Sequence, residues 1–174
     1  MTHSLPSALQ GLLDRFTGPE DTGADRRFWI GFTAIALLGT LLRFWDLSGA
    51  PIWMDEAVTL AMAELPLPTI LFNAVDNHPP LTFAIQHVWQ AIIPDPAYAR
   101  IPVATAGALT VIVVMLAARD QLSPRAALIA GLLFACSTGH IYYSQDARMY
   151  PYLMLGLAIA AWGGLGHVRA GQLS

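Results

Sequence analysis

The sequence predicts an all-α fold of polytopic membrane helices, with about four spans and a long helical extracytoplasmic loop between spans 1 and 2. The first observation is composition, because 55% of the 174 residues are hydrophobic and only 12% are charged, against roughly 25% charged residues in an ordinary soluble domain. The second is that the apolar residues form blocks of the length needed to cross a bilayer. The third is that the arginines fall mainly on one side of such a topology.

Composition also excludes several classes of protein. The net charge is -3 and all nine basic residues are arginines, so the chain has no basic face of the kind that neutralises nucleic-acid phosphates. We therefore expect no nucleic-acid partner. The single cysteine, Cys136, lies in an apolar run and cannot form an internal disulfide, which indicates a packing role.

The N-terminal part predicts a cytoplasmic tail over 1–27 followed by a first span over 28–45. The tail is polar and carries the turn signal Gly18-Pro19, whereas the span is interrupted only by Arg43 near its end. A cleaved signal peptide is the alternative, since two arginines precede the block and small residues follow it. The block exceeds the roughly 7–15 apolar residues of a signal peptide, so an uncleaved span is favoured.

The remaining blocks complete a transmembrane module over 28–170. Prolines and glycines mark 46–100 as an external loop, in which 55–64 is predicted to be helical. The shorter apolar block at 81–93 is bounded by prolines and suits an interfacial or re-entrant helix better than a span. The three later blocks predict spans over 101–118, 126–143 and 150–166.

Charge placement supports this topology. With four spans and a cytoplasmic N-terminus, only Arg100 and Arg148 lie outside, besides Arg43 at the end of the first span, as the positive-inside rule requires. If 81–93 also crossed the membrane, the arginines after it that are predicted inside would lie outside, and those predicted outside would lie inside, against the rule. We therefore expect a multi-pass protein of the cytoplasmic (inner) membrane. The arginines predicted inside are Arg15, Arg26, Arg27, Arg119, Arg125 and Arg169.

Two external motifs contain groups that could do chemistry. Asp55 and Glu56 are adjacent, and adjacent helix positions point about 100° apart, so they cannot form one paired-carboxylate face. Both could be first-turn acids that complement the helix dipole, or one could face a site while the other caps the helix or faces water. His78 lies in a proline-stiffened turn, which is either a plain helix start or a means of holding the imidazole in place.

A third motif is the short external connection 142–150. Its acid, arginine and three tyrosines, Tyr143 among them, form either an aromatic belt with a turn or a site that receives an anion. The four-span topology places Asp55, His78, Asp146 and Arg148 on one side of the membrane. Such a set suits base activation of a hydroxyl beside an anionic, lipid-attached group.

These residues, taken in order, carry a family resemblance over about Arg43 to His167. The sequence resembles the GT-C membrane glycosyltransferases, and within them the family 39-like group of protein mannosyltransferases and aminoarabinose transferases. The matching segments are Arg43, Asp46-Leu47, Trp53-Met54-Asp55-Glu56-Ala57, His78-Pro79-Pro80-Leu81, Arg100 and Tyr143-Ser144-Gln145-Asp146-Ala147-Arg148-Met149-Tyr150.

The resemblance implies an enzyme that transfers a sugar from a polyprenyl-phosphate donor to a hydroxyl of a lipid, glycan or protein on the outer face, with inversion. It implies no certain cofactor, because relatives differ on a divalent metal ion. Relatives are several-fold longer, so we expect an N-terminal portion. The roles implied are catalytic for Asp55 as the base, Glu56 as its neighbour and Asp146 as a second carboxylate, and substrate-binding for Arg148 at the leaving phosphate, His78 and Tyr143.

Two other classes of protein remain as alternatives. A non-catalytic membrane subunit could use the same residues to bind a polyprenyl phosphate or the transmembrane helices of a partner. A transporter is less favoured, because charged residues inside spans often mark substrate paths and the predicted spans contain almost none beyond Arg43.

Overall fold

A computed structural model describes residues 23–73 and 78–171, with backbone only for 23–24 and 168–171. Within those residues the chain is helical and contains no strand. The helices are α1 (Gly23–Phe44), α2 (Met54–Ala63), α3 (Leu67–Phe72), α4 (Leu81–Ile92), a 3-10 turn (Pro96–Tyr98), α5 (Ile101–Gln121), α6 (Pro124–Ala135), α7 (Thr138–Ser144) and α8 (Tyr150–Gly171).

Two of the described helices are long and apolar enough to cross a membrane. They are α1, over Asp25–Phe44, and α5 with its preceding turn, over Pro96–Gln121. A third candidate exists if α6 and α7, which are bent by 58° relative to each other, are counted as one broken span. The expectation of an all-helical chain is thus confirmed for the described residues, with two to three candidate membrane-spanning helices.

The fourth predicted span forms the 22-residue helix α8. Among the described residues, which leave out the side chains of 168–171, α8 is not one of the candidate spans. The fourth span therefore stays a prediction.

The third predicted span, 126–143, is wrong as a continuous helix, because the chain breaks between α6 and α7 at Cys136 and Ser137. The last carbonyls of a helix have no partner within it. Here the guanidinium of Arg43 supplies one: Nη1 donates to Ala135 O at 3.2 Å and Nη2 to Phe134 O at 3.4 Å. The break therefore gives hydrogen-bond acceptors to an arginine that is fully buried among apolar helices.

The first helix begins inside the segment that the sequence predicts as tail, 1–27. Helix α1 begins at Gly23, and Asp25 in its first turn forms an ion pair with Arg119 near the end of α5, at 3.1 Å. An acid in the first turn complements the helix dipole, which favours this earlier start. The rest of the tail, 1–22, lies outside the described residues.

Helix α5 is the centre of the helix packing and contacts α1, α6, α7 and α8. Two glycines make close approach possible. A side chain at Gly107 would collide with Ser144 of α7, and one at Gly131 of α6 would collide with Met115 of α5. Small residues let membrane helices pack closely without a hydrophobic driving force between them, so these positions fix where α5 meets its neighbours.

The segment between α1 and α5 is folded around α2 and α4. The expected helix at 55–64 is α2, and the short apolar block at 81–93 is α4. With 12 residues, α4 is about 18 Å long, too short to cross a hydrocarbon core of about 30 Å. It packs against α2, where His87 Nδ1 contacts Ala63 O at 2.8 Å.

Candidate functional site: a buried carboxylate–arginine cluster

The loop between α7 and α8 forms hydrogen bonds with both the end of α1 and the start of α2. Gln145 begins this loop, and its Nε2 donates to Trp45 O at 2.8 Å and to Leu42 O at 3.2 Å. The last carbonyls of a helix have no partner within it, and Gln145 supplies one here. The next three residues of the loop contact the first turns of α2. The resulting set of Asp55, Glu56, Arg100, Asp146 and Arg148 is called the carboxylate–arginine cluster below.

Glu56 and Arg100 form a bidentate ion pair at the centre of the cluster. Arg100 Nε donates to Glu56 Oε1 at 2.7 Å and Nη2 donates to Oε2 at 2.6 Å. Glu56 is 0% exposed and Arg100 is 6% exposed. Two parallel charge-assisted hydrogen bonds in this geometry are the strongest form of side-chain pairing.

All five N–H donors of Arg100 are used. Besides the two bonds to Glu56, Nη1 donates to Leu47 O at 2.8 Å and Ala50 O at 3.0 Å, and Nη2 donates to Pro51 O at 3.0 Å. Arg100 thus ties the loop after α1 to α2. No donor is left for a ligand.

The Glu56 carboxylate is equally occupied. In addition to Arg100, it accepts the backbone N–H of Ala147 at 2.9 Å and that of Trp53 at 3.3 Å. Burial raises the pKa of Glu56, but the hydrogen bonds and charge of Arg100, together with the two amides, outweigh burial and hold the pKa below its ordinary value. Glu56 is therefore an anion with its acceptor sites filled.

Asp55 has the opposite environment although it is the neighbouring residue. Its side chain is exposed, and among the described residues its carboxylate makes no hydrogen bond. Its backbone carbonyl accepts from Thr59 Oγ1 at 3.0 Å and from Arg148 Nη1 at 3.1 Å. Glu56 is therefore the acid that caps the helix start, and Asp55 is exposed.

Arg148 is buried to the same degree as Arg100 but is only partly paired. It is 7% exposed, and its Nη1 donates to Asp55 O and, at 3.2 Å, to Thr59 Oγ1. Its Nε is buried and has no hydrogen-bond partner. Unpaired buried donors are uncommon in folded proteins, and this one belongs to a positive charge beside the exposed acid.

Asp146 is a buried carboxyl with one hydrogen bond. It is 5% exposed, and its Oδ1 accepts from Trp53 Nε1 at 3.2 Å. Burial is the largest cause that raises the pKa of Asp146, and the charge of Glu56 adds to it; against the opposing effects of Trp53, Arg148 and Arg100, the pKa lies at about 6. Such a group exchanges its proton close to neutral pH.

A cavity of about 340 Å³, the cluster cavity, opens beside Asp146 and the loop after α1. It combines carboxylates, an amide and two aromatic side chains, which suits a ligand with several hydroxyl groups. Asp46 at its rim has a φ of 53°, a left-handed conformation that aspartate tolerates better than most residues. The polar and aromatic lining residues are Asp46, Trp53, Arg100, Tyr142, Gln145 and Asp146.

A larger cavity of about 630 Å³, the apolar cavity, lies between α3, α4 and the start of α5. None of the predicted site residues lines it. Its walls are almost entirely apolar, with Leu71, Val88 and Ile92 among them, so it lacks the groups needed for catalysis and suits a hydrocarbon chain.

The other two predicted residues lie on other elements. His78 is half-buried in the turn before α4. Tyr143 is 44% exposed and packs on Tyr150, with ring centroids 4.6 Å apart, beside a separate cavity of about 290 Å³. Asp76, at the start of the predicted His78 turn, lies outside the described residues.

Sequence reasoning missed the roles of Trp53 and Gln145. Trp53 provides the indole that holds Asp146, and Gln145 caps α1. The only sequence signal for either was its position beside an acid, Trp53 before Asp55-Glu56 and Gln145 before Asp146. Arg100 was part of the resemblance, but its partner 44 positions away could not be read from spacing.

Across the described ranges, no group of three or more His, Cys, Asp or Glu side chains is placed to hold a metal ion. Comparison with protein-family models found none that matches this chain, and comparisons with curated proteins and with solved structures likewise found no match.

Proposed function

We propose that this chain is the N-terminal membrane module of a GT-C glycosyltransferase of the family 39-like group. In this proposal it transfers a sugar from a polyprenyl-phosphate donor to a hydroxyl of a lipid, glycan or protein acceptor on the outer face of the membrane. The observation that carries the proposal is that a buried, partly unpaired arginine, Arg148, donates to the backbone carbonyl of Asp55 at 3.1 Å, next to the exposed carboxylate of the same residue.

The proposed reaction is a single displacement. The acceptor oxygen attacks the anomeric carbon of the sugar while its proton passes to Asp55. The bond from that carbon to the phosphate oxygen breaks, and its electron pair stays on the polyprenyl phosphate. Arg148 stabilises the charge on the phosphate. Because the phosphate leaves as a stable anion, no acid is needed to protonate it.

The other residues of the cluster support this step. Glu56 is assigned a positioning role rather than a second base, since its four acceptor contacts leave it no capacity to take a proton. Asp146 is assigned to orienting the acceptor hydroxyl from the cluster cavity. His78 and Tyr143 are retained as predicted substrate contacts, which the cluster itself does not require.

The membrane arrangement proposed with this function has four spans, with α6 and α7 as the broken third and α8 as the fourth. The N-terminus is cytoplasmic and the membrane is the inner membrane. The polyprenyl chain would occupy the apolar cavity, whose walls adjoin the start of α5. Labelling of single cysteines introduced at positions 48 and 123 tests this topology, which requires outside access at the first and inside access at the second.

The test of function is transfer of labelled sugar from membrane polyprenyl-phosphate donors, comparing the wild-type chain with Asp55→Asn. Loss of transfer in the variant at equal expression supports the proposal. Donor binding without turnover in either protein would instead favour a non-catalytic subunit, the alternative that the apolar cavity and Arg148 would also serve. Parallel assays with Mg²⁺, Mn²⁺ or EDTA report whether the reaction needs a divalent ion.

A further inference from the structure

The end of the helix bundle opposite the carboxylate–arginine cluster contains a second basic region. Arg27 lies near the start of α1, and Arg43 lies near its end beside the cluster. Sixteen residues of helix separate them, which corresponds to about 24 Å. Arg125 lies at the start of α6, next to the end of α5. The two arginines therefore lie at the far boundary of the candidate spans.

Arg27 and Arg125 line one cavity of about 460 Å³, the basic cavity, together with Phe28, Ser123, Pro124 and Leu128. Both arginines are exposed, and neither makes a hydrogen bond or an ion pair among the described residues. Arg119 nearby is different, because it pairs with Asp25 at 3.1 Å and its guanidinium lies 5.1 Å from the centroid of the Phe28 ring. Among the described residues, no acidic side chain therefore pairs with either arginine of the cavity.

This charge comes from side chains and not from the start of helix α6. Pro124 has no N–H group, and the amide of Ala126 is taken by Ser123 Oγ at 3.3 Å. The site therefore depends on Arg27 and Arg125 themselves, and on the spacing of α1 and α6. That spacing is close, since a Cβ at Gly31 would lie 2.9 Å from Leu128.

The side chains around the cavity suit a lipid better than a soluble anion, because many of them are apolar. Phe28, which is 2% exposed, and Leu128 give it apolar walls. Exposed apolar side chains follow within the next turns of both helices, and Trp29, an aromatic type enriched at the headgroup level, lies beside Phe28. The exposed residues are Trp29, Ile30, Ile129, Leu132 and Leu133.

We propose that the basic cavity binds the phosphate headgroup of an anionic phospholipid, with the acyl chains along the exposed apolar side chains of α1 and α6. Basic pockets between membrane helices bind such headgroups through several arginines at once. The inference does not depend on glycosyl transfer, because it concerns residues at the other end of the spans.

The test is native mass spectrometry of the full chain in detergent, titrated with phosphatidylglycerol or phosphatidylcholine. We expect tighter binding of phosphatidylglycerol, weakened about fivefold by Arg27→Gln, as one basic residue near a headgroup implies. The matched control is Arg26→Gln, which removes the same charge one residue away but does not line the cavity and should change binding less than twofold. Asp55→Asn should bind the lipid as the wild type does.

Three results would overturn the proposal. Equal effects of Arg26→Gln and Arg27→Gln would mean general surface attraction, and equal binding of the two lipids would remove headgroup charge from the explanation. Displacement of the lipid by millimolar inorganic phosphate would assign the cavity to a soluble anion. Arg125→Gln should also weaken binding. Arg125→Lys keeps the charge and should retain most of the binding, which would show that the loss in Arg125→Gln does not come from misfolding.

Discussion

Arg100 and Arg148 lie in the same cluster and are almost equally buried, at 6% and 7% exposed, yet their environments differ. Arg100 uses every donor, two of its bonds going to a carboxylate. Arg148 contacts only neutral oxygens through Nη1, and its Nε has no partner. Burial alone therefore does not show how fully an arginine is paired, whereas the number of unused donors does.

The largest expected effect comes from breaking the saturated pair. Arg100→Met leaves Glu56 as a buried anion without its cation, so we expect the free energy of unfolding to fall by about 3–5 kcal/mol. Unfolding of purified protein in detergent, followed by tryptophan fluorescence, measures this loss. The double variant Arg100→Met with Glu56→Met should recover a large part of it, because an apolar pair can replace a buried ion pair.

Arg148→Met is the matched control for that experiment. It removes the same side chain type at the same burial, but it leaves no carboxylate unpaired, so the expected loss is clearly smaller. Equal destabilisation by the two arginine variants would contradict the distinction between them.

The next effect concerns the two adjacent acids. Asp55→Asn should lower sugar transfer by about 10²–10⁴-fold, the usual contribution of a general base, and change stability by less than about 0.5 kcal/mol because the side chain is exposed. Asp146→Ala should lower transfer less, since it orients a hydroxyl and does not take the proton. Equal and complete losses from both, in folded protein, would contradict this division of roles.

A third prediction concerns the pH dependence of stability. Because burial raises the pKa of Asp146 to about 6, the folded state binds its proton more tightly than the unfolded state, whose pKa is about 3.9. The favourable contribution of the protonated carboxyl is present at low pH and is lost as pH rises through about 6. Asp146→Asn cannot lose this proton, so it is not destabilised as pH rises. The difference in melting temperature, variant minus wild type, should therefore increase from pH 5 to pH 7.5.

The expected size of that effect is about 3 kcal/mol at most, from 1.36 kcal/mol per pKa unit. Asn resembles the protonated carboxyl in shape and hydrogen bonding, which makes the comparison direct. A melting difference that does not change with pH would mean that Asp146 is not perturbed by its surroundings.

Features set by residues that are close in the sequence could be predicted, whereas features set by contacts between distant residues could not. Helix α2 was expected over 55–64 and is found at Met54–Ala63, because first-turn acids and an apolar run are local signals. The break after α6 was not expected, since 126–143 reads as one apolar block. Its carbonyls are held by Arg43, which lies 92 positions from Ala135, and no local pattern contains that contact.

The smallest effect tests how Arg148 itself is held. Thr59 is 1% exposed, and its hydroxyl is the side-chain partner of Arg148 among the described residues. Thr59→Val keeps the shape but removes the acceptor, so we expect a loss of about 1 kcal/mol in stability. If Arg148 binds the donor phosphate, the same change should raise KM for the donor a few-fold, because the guanidinium is less well oriented, and leave kcat nearly unchanged.

Thr110→Val provides the control, because Thr110 is also buried and loses a hydrogen bond, in its case to Ala106 O at 2.8 Å within α5. It should cost similar stability without moving KM. A KM that rises equally in both variants would mean that general loosening of the helices, and not the orientation of Arg148, weakens the donor site. A KM that rises only in Thr59→Val would indicate that Arg148 contacts the donor phosphate. The unused donors that make this contact possible are what distinguishes Arg148 from Arg100.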